Sequence, residues 1–198
     1  MRGVKVAGIL LAAGAGSRLG RPKALVEIDG ESLARRGAAL LRAGGATPVI
    51  VVTGAAGAGL TGVITVHNPD WRSGMGSSLA AGLRVAPADC DAAVIALADQ
   101  PLVGSASVSR LISARADGAA AAVAAYGGKP RNPVLLGREH WPEVIALAVG
   151  DAGARPFLLA HPELVTVVEC GDTGRPDDID TPADLARIAA ELAPPDQD

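Results

Sequence analysis

Residues 8–25 read GILLAAGAGSRLGRPKAL. From Val4 to Leu11 the only polar side chain is Lys5, so a strand here is apolar on both faces. Such a strand belongs inside a sheet that is covered on both sides. It runs into Ala12, Ala13, Gly14, Ala15 and Gly16, all small, and then into Arg18 and Lys23. An all-apolar strand that breaks into a small-residue turn is how an α/β domain begins, and that reading predicts parallel strands with ligands beyond their carboxyl ends.

The rest of the chain continues the alternation. Apolar stretches of strand length fall at 4–11, 48–53, 63–67, 92–98, 119–125 and 164–169. Segments with helical spacing lie between them at 32–43, 77–85, 105–115, 138–148 and 155–160, and a last helix at 182–192 follows the cap residue Thr181. Alanine is so frequent that helix and strand compete at 119–125. The 198 residues are expected to form one domain over 1–193 with a frayed, disordered tail at 194–198. Hydrophobic residues make up 49% and the net charge is -3, which describes a globular chain without the basic excess of a general nucleic-acid binder. No apolar run approaches the roughly 20 residues of a bilayer span, and the first strand leads into a basic loop instead of a cleavage site. The expectation is a cytoplasmic protein that acts on small molecules, with no nucleic-acid or membrane partner. Cys90 and Cys170 have no metal-ligand spacing and read as buried thiols.

Small residues after a strand let backbone N–H groups approach an anion, commonly a phosphate. The loop is not a Walker A motif, because Gly20 is followed by Arg21 and not by Lys-Ser/Thr. Nor is it a dinucleotide fingerprint, whose third glycine would fall at Leu19. What remains is a turn whose small residues let the backbone approach a triphosphate, with Arg18 and Lys23 as cations, or else a Gly-rich turn with solvated basic residues.

The pattern L-A-A-G-x-G-x-R-hydrophobic-G-x-x-K resembles the signature loop of MobA-like nucleotidyltransferases, in the variant found in molybdenum cofactor cytidylyltransferases. NPDWRSGMGSSLAAGL (68–83), ALADQP (96–101), GDAGARPFL (150–158) and DIDTPADL (178–185) resemble further segments of that family in the family's order. One departure stands at Arg131-Asn132-Pro133-Val134, where a histidine is expected before the proline. The resemblance implies a three-layer Rossmann-like nucleotidyltransferase fold with a mainly parallel sheet. It also implies transfer of CMP from CTP to the terminal phosphate of a molybdopterin-type cofactor, with release of pyrophosphate and a molybdoenzyme as recipient of the product.

The chemistry asks for the same residues. Two polyanions meet in the reaction, so a divalent cation, Mg²⁺ or Mn²⁺, must bridge them, and such an ion takes one or two carboxylates together with phosphate oxygens and water. Asp99, at the end of the strand AAVIALAD, suits that task; the resemblance adds Asp180, the second aspartate of D-I-D. Arg18 and Lys23 become clamps on the phosphates, catalytic together with Asp99. With no strong general base needed, the three histidines read as structural or exposed. Only four aromatic residues are present, so the nucleotide is expected to lie against Leu11, Ala12, Ala13, Gly14 and Gly16, with Ser77 and Ser78 on the far side. Guanylyltransferases of the family that the chain resembles carry Leu-Ala-Gly-Gly here, and against that pattern the methyl group of Ala13 is expected to narrow the slot in favour of a pyrimidine. Two alternatives stay open: guanylyl or other nucleotidyl transfer to a different phosphorylated acceptor, or a carrier that holds the molybdenum cofactor without turnover.

Overall fold

Strand β1 (Val6–Ala12) is buried at all seven positions, as its lack of a polar face requires. The computed structural model describes residues 3–193; the tail expected at 194–198 lies outside the described residues. After β1 come the short hairpin β2 (Glu27–Ile28) and β3 (Glu31–Ser32), helix α1 (Leu33–Ala43), β4 (Val49–Thr53), β5 (Ile64–His67), α2 (Met75–Val85), β6 (Ala92–Leu97) and α3 (Ser105–Ala116). The chain continues through β7 (Ala121–Tyr126), β8 (Lys129–Gly137), α4 (Trp141–Leu147), α5 (Arg155–Ala160), β9 (Val165–Glu169) and α6 (Pro182–Leu192).

Seven strands form one sheet in the order β5-β4-β1-β6-β8-β7-β9. All run parallel except β8, which is antiparallel to both β6 and β7. Alternate side chains of each strand enter two cores. Leu10, Val51, Val94 and Leu135 meet Ala38 and Leu41 of α1 and Val108 and Leu111 of α3 on one face. Ile9, Ile50, Ile95 and Leu136 meet Leu79 of α2, Val144 of α4 and Phe157 of α5 on the other. Helices therefore cover both faces, and the three-layer Rossmann-like architecture expected from the sequence is the one observed. Helix α1 lies tightest on the sheet at Gly37, where a Cβ would stand 2.5 Å from the Leu10 Cδ1, and Gly8 of β1 leaves room in turn for Leu41.

Two elements escaped the sequence reading. Strand β8 carries Pro130, Arg131, Asn132 and Pro133, a run that offers no apolar alternation. It joins the sheet because its pairing with β7 is irregular at Val123/Ala124, opposite the stretch where Asn132 and Pro133 drop out of the ladder. The hairpin β2–β3 is too short to show a period. It packs into a third, smaller core in which Val26, Ile28 and Leu33 meet Ile179 and Ile188. The alanine-rich segment at 119–125 resolves as β7, between β8 and β9.

The β-strand order reverses at β1, whose neighbours β4 and β6 lie on opposite sides of it. At such a switch point the loops leaving the strand ends diverge and open a crevice.

Candidate active site

The loop after β1 folds back on itself. The N–H of Lys23 donates to the Gly14 carbonyl at 3.3 Å. Gly16 has φ +59° and lies so close to the Arg21 carbonyl that a Cβ would stand 2.1 Å from it, so glycine is required there by the loop's own geometry. Gly14 is different: an added Cβ would meet only the Lys23 Cδ, at 4.0 Å. Buried Ala24 and Val26 anchor the far end of the loop and aim Lys23 at the strand ends.

On the other side of the switch point, the Ala98 N–H donates to the Leu11 carbonyl at 3.1 Å, extending the β1–β6 alignment one residue beyond the strand and setting Asp99 next to the loop. Asp180 arrives from far along the chain. Fully buried Ile179 plugs the third core, and its N–H donates to the Asp99 carbonyl at 2.9 Å. Downstream, Thr181 caps α6 in a reciprocal pair with Asp184. Asp180 is thus fixed from both sides.

The Lys23 ammonium bridges the two carboxylates, with Nζ 2.6 Å from Asp99 Oδ2 and 2.7 Å from Asp180 Oδ1. Burial alone would lower the lysine's pKa; the two carboxylates outweigh it and hold Lys23 above its ordinary 10.5. Asp180 is held below the usual aspartate value by the Lys23 hydrogen bond. The Arg18 guanidinium is exposed and stands 3.7 Å from the other oxygen of Asp180. Asp178 lies apart from this bridge, hydrogen-bonded by the buried Gln100 at 2.9 Å, and burial pushes its carboxyl up.

A cleft of about 560 Å³ opens beside the bridge, lined by Leu11, Ala12, Ala13, Gly14, Lys23, Ser78 and Asp99 among the residues expected from the sequence. Gly16, Arg18, Ser77 and Asp180 do not line it. Ser77 braces the turn before α2 instead, donating to the Asp70 and Gly74 carbonyls at 3.0 and 2.9 Å. The methyl group of Ala13 is turned toward Gly54, where a Cβ would stand 2.9 Å from it and 2.5 Å from Trp71.

Four further residues surround the cleft; of these only Trp71 is read from the sequence, as a packing residue or pocket wall. Trp71 forms a wall, and Arg72 lies over its ring at 4.4 Å from the centroid. Buried Asn68 holds both serines, donating from Nδ2 to Ser77 Oγ at 2.8 Å and Ser78 Oγ at 3.0 Å. Asp151 accepts from the Met75 N–H at the start of α2. All four lie in segments that carry the family resemblance, 68–83 and 150–158, and what the sequence does not show is the contact each makes. A second cavity of about 550 Å³ adjoins the first through Met75 and Asp151 and is lined by Arg131, Asn132 and Arg155 over an apolar floor that includes Val123 and Val134.

Known proteins share this architecture. The nicotine blue oxidoreductase of Paenarthrobacter nicotinovorans is 39% identical over 197 residues, an alignment covering 92% of this chain and 96% of that protein. The structure of the Mycobacterium tuberculosis Rv0371c homologue from Mycobacterium sp. strain JC1 superposes with a TM-score of 0.81 at 29% identity, covering 94% of this chain and 96% of the other. Rv0371c of Mycobacterium tuberculosis H37Rv in complex with manganese shares the fold, with a TM-score of 0.78 at 24% identity over 96% of this chain and all of that one. The model of the MobA-like NTP transferase domain matches residues 8–165, the span from the first strand to the start of β9, and on that match the chain belongs to the MobA-like NTP transferase family.

Proposed function

We propose that the protein transfers CMP from CTP to the terminal phosphate of a molybdopterin-type cofactor and releases pyrophosphate. The observation that carries this reading is the convergence of Asp99 and Asp180 on one cationic group at the mouth of the cleft. Two carboxylates that already share a cation form a donor set that suits Mg²⁺ or Mn²⁺, which completes its shell with phosphate oxygens and water. When bound, the ion would neutralise the phosphates and polarise the α-phosphate. The manganese complex of Rv0371c supports a divalent metal in this fold.

The chain's own groups do the rest. The backbone of Ala13 and Gly14 approaches the triphosphate; Lys23, released from the carboxylates, and Arg18 take up charge on the α-phosphate and on the departing pyrophosphate. Ser78, oriented by Asn68, faces the base. An oxygen of the acceptor phosphate forms a bond to the α-phosphorus as the bond to the bridging oxygen of the β-phosphate breaks. No proton has to be removed, so positioning and charge neutralisation suffice. The second cavity, with Arg131, Arg155 and Asn132, suits an anionic heterocycle, and Asn132 in place of the expected histidine offers it an amide that stays neutral at every pH.

The test is mass spectrometry of the products formed from each of the four triphosphates with the molybdenum cofactor. CTP should yield the CMP adduct and acceptor-dependent pyrophosphate. Equal use of GTP would overturn the cytidylyl assignment, and absence of pyrophosphate with every triphosphate would leave the carrier reading. The 39% identity to nicotine blue oxidoreductase favours one second reading, an oxidoreductase reaction in the same cleft. Oxidation or reduction of nicotine blue, followed by absorbance in the absence of any triphosphate, would favour that reading over nucleotidyl transfer.

A further inference from the structure

Gln100 is buried, at 5% exposure, and its carboxamide looks in two directions. Its Nε2 donates to Asp178 Oδ1 at 2.9 Å and, more weakly, to the Pro176 carbonyl at 3.4 Å. Its Oε1 is buried without a protein partner. So is Nε of Arg36 on α1, which makes no hydrogen bond and has its nearest carboxylate oxygen, on Glu31, 3.6 Å away. Both residues line one cavity of about 20 Å³.

The segment that Gln100 grips is the one that delivers Asp180. It runs alongside 99–104 so closely that a Cβ on Gly104 would stand 1.9 Å from the Thr173 carbonyl and one on Gly174 2.2 Å from the Leu102 carbonyl. Backbone bonds from Arg175 to Leu102 and from Ile179 to Asp99 tie the two segments at 3.0 and 2.9 Å. The side-chain bond from Gln100 to Asp178 falls between these two ties, one residue before buried Ile179 and two before Asp180.

We infer that Gln100 is a positioning residue: by holding Asp178 and Pro176 it sets the distance between Asp99 and Asp180, and so the affinity of the pair for a divalent cation, without touching substrate. This rests on the assignment of Asp99 and Asp180 as the metal pair. Asp178 serves as the handle by which the second carboxylate is held, which gives the first aspartate of D-I-D a task distinct from that of the second.

The test uses Gln100→Leu, which keeps the volume and removes both bonds, and the exchange pair Gln100→Glu with Asp178→Asn, which restores the side-chain bond with donor and acceptor reversed. Hydrogen exchange of the metal-free protein should show the Ile179 amide opening about tenfold faster in Gln100→Leu. Mn²⁺ titration of the full chain, followed by electron paramagnetic resonance, should show affinity about tenfold weaker in Gln100→Leu and in Gln100→Glu alone, and recovery in the exchange pair. Unchanged exchange at Ile179, or a double variant no better than Gln100→Glu, overturns the inference. Asp99→Asn and Asp180→Asn go through the same titration. If these bind Mn²⁺ as the parent does, the metal pair itself is misassigned, whereas the exchange data still decide whether Gln100 holds the segment.

Discussion

At the scale of single residues, Lys23 is in two relationships at once. Its ammonium bridges Asp99 and Asp180 and offsets part of their charge; in the proposed reaction it serves the phosphates. Replacing Asp99 or Asp180 with Asn should lower turnover by about two orders of magnitude or more at saturating metal, with the fold intact by circular dichroism. Lys23→Ala removes charge-assisted contacts of about 1.5 to 3 kcal/mol and should cost about ten- to a hundredfold in catalytic efficiency. The pKa shifts add a test in stability. Lys23, raised above 10.5, contributes stability that is full below that value and lost as pH rises through the higher folded value. Asp180, lowered from 3.8, contributes stability that is present above that value and lost as pH falls through the lower folded one. The gap in urea midpoint between the parent and Lys23→Met should therefore close toward both pH extremes, and a gap that does not vary with pH would refute the coupling. The cations of the loop and Asp99 were legible in the sequence because a charge beside small residues at a strand end has few structural duties. Asn68 and Gln100 were not: a buried amide is recognised by its partners, and those lie elsewhere in the chain.

At the scale of elements, the start of α2 is where packing and binding meet. A Cβ on Gly76 would stand 2.2 Å from the Ala148 carbonyl and one on Gly74 2.3 Å from Gly150, so this end of the helix rests directly on the segment that follows α4. Backbone cannot yield as a flexible side chain can. Gly76→Ala should cost about 1 to 3 kcal/mol in thermal unfolding, and because the same helix presents Ser78 to the cleft, CTP affinity should fall with it. Gly14→Ala is the contrast, with open space beside it and little expected change in melting temperature. Loss of CTP binding in Gly14→Ala without loss of stability would mark that position as part of the nucleotide site. At the other end of the chain, Thr181→Ala removes the side-chain cap of α6 and should cost about 1 kcal/mol. Helix positions were legible where caps and periodicity agreed, as at Thr181; β8 was missed because its two prolines suppress the signal by which strands are recognised.

At the scale of the whole molecule, three segments that are distant in sequence meet at one edge of the sheet: the β1 loop, the β6 end and the turn before α6. Because Lys23 offsets part of the charge of the two carboxylates, the fold is expected to stand without a metal. Removing divalent ions with EDTA should abolish pyrophosphate release while moving the melting temperature by less than about 2 °C, under about 1 kcal/mol for a domain of this size. A large drop in melting temperature would mean that the metal, and not the lysine, holds the segments together. Among the described residues, no helix is long and apolar enough to cross a membrane.

The α/β alternation, the doubly buried strands and the basic small-residue loop can be read from the sequence alone, since each depends on contacts within a few residues or on the solvent exposure of one element. The same holds for the placement of Asp99 at a strand end. Tertiary structure alone decided that Lys23, Asp99 and Asp180 share one bridge, that Gly16 serves its own loop while Gly14 faces the cleft, and that Ser77 and Ser78 are held by Asn68. It also decided the place of β8. The physical reason is the same in each case: these outcomes are set by distances between groups separated by up to 157 positions, and nothing local to either partner records such a distance.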